Sequence, residues 1–158
     1  MSDRPPALVR AAEHLVTAAR EQLRVQRAAL FLRQPAGDSL VCVATAGEGD
    51  ASEWVGQTLR AGVGVAGRAV AEGRPVWSPD LLADPRIPVS AWLRERLEAE
   101  GLRSVMAAPL SVAGETVGAL GILDAAGRAY TPDETERLAA FAREAAPAIR
   151  QAWQGHPA

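Results

Sequence analysis

The sequence predicts an α+β fold built on a mainly antiparallel sheet, and three observations carry that prediction. Strand-like runs come in adjacent pairs about short turns: "AALFLR" with "LVCVATA", and the two halves of "SVMAAPLSVAGETVGALGILD". Such connections are too short for crossovers, so they pair strands antiparallel. Amphipathic helical patterns stand at both ends of the chain. Both faces of the second pair are largely apolar, which makes those strands central and covered on two sides.

The elements follow in order. "PPALVRAAEHLVTAAREQLRVQ" reads as a first helix, with Val9, Val16 and Leu23 seven apart and Leu8, Ala12, Leu15 and Ala19 beside them. The hairpin 28–33 and 40–46 turns at "QPAGDS"; "GEGDASEWVGQ" reads as a loop, and Thr58-Leu59-Arg60 as a short strand. After a glycine segment, "AGRAVAEG" has room for about two helical turns before Gly73-Arg74-Pro75 ends it. "PVWS" is a brief strand and "PDLLADPRIP" a proline-punctuated excursion. "SAWLRERLEAEG" is a helix capped by Ser90 and ended by Gly101. The second strand pair turns at Ala113-Gly114-Glu115. In the last helix Thr131, Pro132 and Glu134 form a capping box with proline at the first helical position. Its seam is Leu138, Phe141, Ala145, Ala148 and Ala152, with Trp153 closing it. Pro147 is expected to kink or weaken it.

Composition bounds the function. A chain of 158 residues is most simply one domain. Net charge is -2, so no global field favours nucleic acid or an anionic membrane. No run is long and apolar enough to span a bilayer or serve as a signal peptide, and with a single cysteine the expected compartment is the cytoplasm. All 17 basic residues are arginine, which removes a Schiff-base lysine and the lysine of a phosphate-binding P-loop. The only imidazoles, His14 and His156, lie near the ends, and no His, Cys and acid cluster has zinc spacing. Neither a metal nor a cofactor is expected.

Gly62, Gly64 and Gly67 have G-x-G-x-x-G spacing, with Asp80 further on. A dinucleotide fingerprint needs a buried parallel strand before it and a full crossover helix after it. Here "EWVGQTLRA" precedes and a short helix follows. The glycines are therefore read as shaping a turn and letting the short helix approach the sheet.

Taken in sequence, "GVGVAGRAVAEGRPVWSPDLLADPR" and "LRSVMAAPLSVAGETVGALGILDAAGRAYTPDETERLAAFA" resemble a GAF domain, the small-molecule-sensing fold of signalling proteins. The resemblance covers roughly residues 8–153, leaving 1–6 and 154–158 as flexible ends of a single domain spanning 1–158. It implies a profilin-like, PAS-related antiparallel sheet of about six strands. Terminal helices would pack on one face, and short helices and loops would cover a pocket on the other. The pocket would lie between the sheet and residues 62–100.

The candidate ligand-binding residues are then Val65, Ala66, Trp77, Asp84, Trp92 and Met106. Trp77, Leu81, Leu82, Trp92, Leu93 and Leu97 either wall a ligand cavity or fill the space themselves. Trp77 alternatively offers a partner surface. Asp80 and Asp84 read as caps before they read as acid–base or metal groups. Arg68, Arg74, Arg86 and Arg103 would recognise phosphate or carboxylate if they converged, and otherwise belong to a salt-bridged surface.

Specialised relatives are disfavoured. The cyclic-nucleotide binders' Asn-Lys, Phe and Asp-Glu signature is here Asp124-Ala125, Tyr130 and Asp133-Glu134. Bilin attachment needs a Cys typically beside a His, and Cys42 has none near. Haem needs an axial ligand in the pocket, and His14 belongs on the first helix. Free methionine-R-sulfoxide reductase needs a nucleophilic and a resolving Cys; Cys42 is alone and reads as core. The expected function is thus non-catalytic. A small molecule binds under the lid, and terminal helices paired with a second copy, close at Ala12, Ala19, Ala145 and Ala152, relay the change. The effector would be a sensor histidine kinase or another multidomain regulator. A stand-alone interaction module with a vestigial pocket is the alternative.

Overall fold

The computed structural model describes residues 4–154; of the ends expected to be flexible, 1–3 and 155–158, with His156, lie outside the described residues. Helix α1 (Pro6–Leu23) starts with proline in its first turn, where a missing N–H costs nothing. It ends when Arg24 turns left-handed, with φ 55° and its N–H on the Arg20 carbonyl. That stop falls short of the predicted 26, because no glycine announces it. Strands β1 (Arg27–Arg33) and β2 (Ser39–Gly47) form the expected hairpin. β3 (Thr58–Arg60), α2 (Gly64–Glu72), β4 (Val76–Ser78) and α3 (Ala91–Glu100) follow. Strands β5 (Ser104–Val112) and β6 (Glu115–Asp124) and helix α4 (Pro132–Gln154) complete the chain.

The six strands form one sheet in the order β3-β2-β1-β6-β5-β4, and every pairing is antiparallel. Its side chains alternate between two apolar layers. Ala28, Leu30 and Leu32 of β1, Met106, Ala108 and Leu110 of β5, and Leu120 and Ile122 of β6 pack with α1 and α4. Ala29, Phe31, Val105, Ala107, Ala119 and Leu123 pack under residues 63–102. Both faces mix large and small side chains, and Ala107 and Ala119 make the second one shallow over β5 and β6. The shallow region lets α2 lie close against β5 and β6, where Ala66 and Ala69 meet it.

The glycine segment is a turn, as its setting predicts. Gly62 and Gly64 hold φ +89° and +68°, in the left-handed region. Gly67 makes its close approach to the turn before it: a Cβ there would stand 2.8 Å from the Arg60 carbonyl oxygen. The segment follows an edge strand of an antiparallel sheet, so no crossover crevice exists for a dinucleotide.

The caps of α3 and α4 fall where predicted, whereas Asp80 makes no cap bond. The Ser90 hydroxyl accepts the Leu93 N–H at 3.2 Å, and Gly101 ends α3 with φ 71°. The Thr131 hydroxyl accepts the Glu134 N–H while the Glu134 carboxylate accepts the Thr131 N–H, both at 3.0 Å. The α4 seam is rotated from the predicted one. Leu138, Ala142, Ala146 and Ile149 are buried; Phe141, Ala145, Ala152 and Trp153 flank them, and Ala148 is exposed. Both runs keep the helical spacing of three and four; the buried stripe is turned because α4 packs on both β5 and α1. Pro147 sits inside the continuous helix on the exposed side, where water can satisfy the carbonyl left without an N–H partner.

Two glycines of β6 separate packing from flexibility. A Cβ on Gly118 would meet the Phe31 carbonyl oxygen at 2.2 Å, whereas on Gly121 its nearest neighbour would be 3.7 Å away. Gly118→Ala is expected to lower unfolding free energy by about 3 kcal/mol, and Gly121→Ala to stay within about 1 kcal/mol of the parent, by urea denaturation.

Candidate functional site

The lid over the second face is built from α2, a 3-10 turn at Leu81–Ala83 and α3. Val65 and Ala66 open α2 and are buried, at 7% and 5% exposure. Leu81, Ile87, Leu93, Leu97 and Leu102 bury themselves in the same apolar layer, and Trp92 packs against its edge. Val65, Ala66 and Trp92 are thus brought together under one lid.

Asp84 stands apart, in a polar cluster. Its carboxylate accepts the buried Ser78 hydroxyl at 2.7 Å and the Arg86 backbone N–H at 3.0 Å. It also accepts the Arg86 guanidinium at 2.9 and 2.6 Å. The guanidinium chiefly, with the hydroxyl and the N–H, holds this carboxyl well below the usual carboxylate range. Binding an N–H two residues on is the local turn role expected of it. Asp80 occupies the cap position before the 3-10 turn but its side chain makes no cap bond, and its Oδ1 is buried without a partner.

The arginines are already engaged. Arg68 and Arg74 both pair with Glu72 at 2.9 Å, and Arg68 also donates to the Arg86 carbonyl. Arg103 donates to the Leu97 and Leu102 carbonyls. They do not converge on an open anion site.

Trp77 and Met106 lie on the other face. They are register partners across β4 and β5, so they share a side of the sheet. Met106 is fully buried in the layer under α1 and α4, with the Thr135 hydroxyl 3.4 Å from its sulfur. Trp77 is 43% exposed and meets Tyr130 edge-on, with centroids 6.3 Å apart. The period-two alternation that puts Val105 and Ala107 under the lid excludes Met106 from it.

The structure adds a cluster that motif reading passed over. Arg27 begins β1 on the lid face and is 2% exposed. Its Nε donates to Glu100 Oε1 at 2.7 Å, Nη1 to Thr45 Oγ1 at 2.8 Å, and Nη2 to the Glu48 carbonyl. The guanidinium lies over the Trp54 ring, 5.0 Å from its centroid. Trp54 is buried, donates Nε1 to Glu100 Oε2 at 2.8 Å, and meets Trp92 edge-on at 5.4 Å. Arg96 reaches the same Oε2 at 3.4 Å. Gly47 makes room, since a Cβ there would stand 2.8 Å from the guanidinium carbon. A signal existed: Arg27 shares the lid-facing parity of Ala29 and Phe31, opposite a glycine in the hairpin register.

Cys42 is buried in the lid layer, its Sγ 3.5 Å from the Ala44 carbonyl. Burial pushes its thiol up to about 12, so at neutral pH it is no thiolate nucleophile. Among the described residues no group of three or more His, Cys, Asp or Glu could hold a metal ion. No helix there is long and apolar enough to cross a membrane.

A single antiparallel sheet with terminal helices below and a short-helix lid above defines an α+β class of domain. The chain belongs to the GAF domain family, whose sequence model matches residues 7–149. Similar solved structures include the GAF domain of a Coxiella burnetii phosphoenolpyruvate-protein phosphotransferase. It has a TM-score of 0.80 and 24% identity, covering 96% of this chain and 87% of that one. The second GAF domain of DevS from Mycobacterium smegmatis superposes with a TM-score of 0.72 at 18% identity, covering 94% and 96%. Free methionine-R-sulfoxide reductase from Neisseria meningitidis, in complex with its substrate, has a TM-score of 0.73 at 19% identity, covering 94% and 81%. The comparison with curated proteins returns no match.

Alkaline titration tests the cysteine assignment. An unfolded thiol ionises near ~8.5, so the unfolded chain loses the proton first and its stabilising effect is complete below that pH. Stability should fall as pH rises from there towards about 12. Tyr130 is also pushed up to about 12, chiefly by burial. The difference between parent and Cys42→Ala in urea midpoints above pH ~8.5 isolates the thiol, and the variant should show the shallower fall.

Proposed function

We propose that this GAF domain is a non-catalytic regulatory module of the cytoplasm. A small molecule binds between sheet and lid, and the terminal helices carry the change to a sensor histidine kinase or another multidomain regulator. The observation that carries the reading is the two-layer sheet. Val105 and Ala107 touch the lid layer while Met106 and Ala108, alternating with them, touch the helices. A side chain displaced under the lid moves the same strand that α4 packs on, a route for a population shift. GAF domains found within a phosphotransferase and as the second such domain of DevS support a modular role.

Pairing of terminal helices with a second copy is part of this proposal, with a revised surface. Ala12 and Ala19 are fully buried and Ala145 and Ala152 partly buried in their own protomer. A dimer must therefore use the outer helix faces, where Arg10, His14, Arg143 and Ala148 are exposed.

The second reading, an interaction module whose lid is filled by its own side chains, is favoured by the burial of Leu81, Leu93 and Leu97 at 2%, 5% and 0% exposure. Native mass spectrometry of the purified protein separates the two. A retained small molecule, released on denaturation, is expected from a sensor. No adduct, with no thermal shift across nucleotides, amino acids and carboxylates, leaves the interaction module. Sedimentation at tens of micromolar that gives only monomer removes the paired-helix relay.

A further inference from the structure

We propose that Arg27, Trp54 and Arg96 form a carboxylate seat that Glu100 occupies from within, and that a small free monocarboxylate with an apolar body displaces Glu100 from it. Both oxygens of Glu100 are engaged: Oε1 by Arg27 at 2.7 Å, and Oε2 by Trp54 at 2.8 Å and Arg96 at 3.4 Å. Charge-assisted donors from separate elements converge on one planar anion, the pattern that recognises a carboxylate group.

The seat is held without Glu100. The Arg27 guanidinium is fixed by Thr45 Oγ1 and the Glu48 carbonyl, stacks over Trp54 and fits the space that Gly47 leaves. Thr45 is itself tied, donating its hydroxyl to the Ala28 carbonyl at 2.9 Å. Trp54 is held edge-on by Trp92, whose Nε1 donates to the Glu53 carbonyl at 3.2 Å. These supports leave Arg27 and Trp54 in place when the carboxylate departs.

Glu100 is held less firmly than its seat. It is the last residue of α3, directly before the left-handed Gly101. An acid there faces the negative end of the helix dipole, so the helix opposes the placement that the seat enforces. Local rules broken in this way concentrate at functional sites. Its side chain is 22% exposed while that of Arg27 is 2% exposed. The carboxylate can swing to water by side-chain rotation, but the guanidinium cannot follow, and a buried cation needs a replacement anion. The two indole rings beside the seat supply the apolar wall that selects a carboxylate with a hydrophobic body over a bare anion. Displacement frees the C-terminal turn of α3, and with it the lid edge.

The seat stands on geometry alone; assigning it a free ligand rests on the sensory reading above. Glu100→Ala empties it. Acetate and benzoate should raise the melting temperature of this variant relative to chloride at equal ionic strength, while acetamide should not. Identical melting in acetate and chloride overturns the seat. If Glu100→Ala does not fold, Glu100→Gln keeps the shape but presents a neutral head to Arg27. Benzoate should then quench its tryptophan fluorescence at roughly tenfold lower concentration than in the parent, the order expected for an ion pair exchanged for a neutral contact. Equal midpoints overturn the proposal. In the parent, benzoate should speed amide exchange at the end of α3, and no change overturns displacement. A different molecule co-purifying while Glu100→Ala ignores acetate removes the seat and leaves the sensor. Acetate rescue with no parent response to any carboxylate leaves an internal ion-pair site and removes the ligand.

Discussion

The central strands β1, β6 and β5 have no solvated face, and the remaining elements are arranged to cover them. An antiparallel sheet commonly leaves one side to water. Here residues 27–32, 104–108 and 117–123 are buried without interruption. Two long helices can cover one face only if long side chains fill the gap, and Leu30, Leu32, Met106, Leu110 and Ile122 do so. The opposite face carries Ala29, Ala107 and Ala119 beside Phe31, Val105 and Leu123, and its cover lies over β5 and β6, where the alanines leave room. A nine-residue helix opening on glycines fits there.

The edge of the lid also holds charge. Where the lid reaches the start of β1, Arg27 fills the corner and is buried there. A buried guanidinium is tolerated because every donor direction that faces the protein meets an acceptor: Glu100, Thr45 and the Glu48 carbonyl. Ion pairs of this kind add little net stability over an apolar replacement, yet they penalise the loss of one partner severely. That asymmetry suits a contact meant to be exchanged better than one meant to hold the fold. The Asp84 cluster, by contrast, is satisfied by its own turn and the neighbouring β4 hydroxyl of Ser78.

Much of the fold was legible from local chemistry. Ser90, Gly101 and Thr131 with Glu134 act within a few residues, and each cap stands where its spacing places it. The hairpins were readable from turn residues. The α1 stop was not, because Arg24 adopts a conformation that its identity does not advertise. The α4 seam was displaced because its buried face answers to two neighbours, the sheet and α1. The candidate site was less legible. Val65, Ala66 and Trp92 do share the lid, but strand alternation, which residue type does not reveal, sends Trp77 and Met106 to the opposite layer. Arg27 and Glu100 stand 73 positions apart, so only the tertiary fold joins them.

The outermost strands, β3 and β4, are three residues each. They pair only Ser39–Val41 of β2 and Val105–Ala107 of β5, so the far ends of β2 and β5 lie beyond their reach, and short edge strands blunt a sheet only where they run. A neighbouring molecule thus meets only three residues of β3 or β4 before the outer rims of β2 and β5 begin.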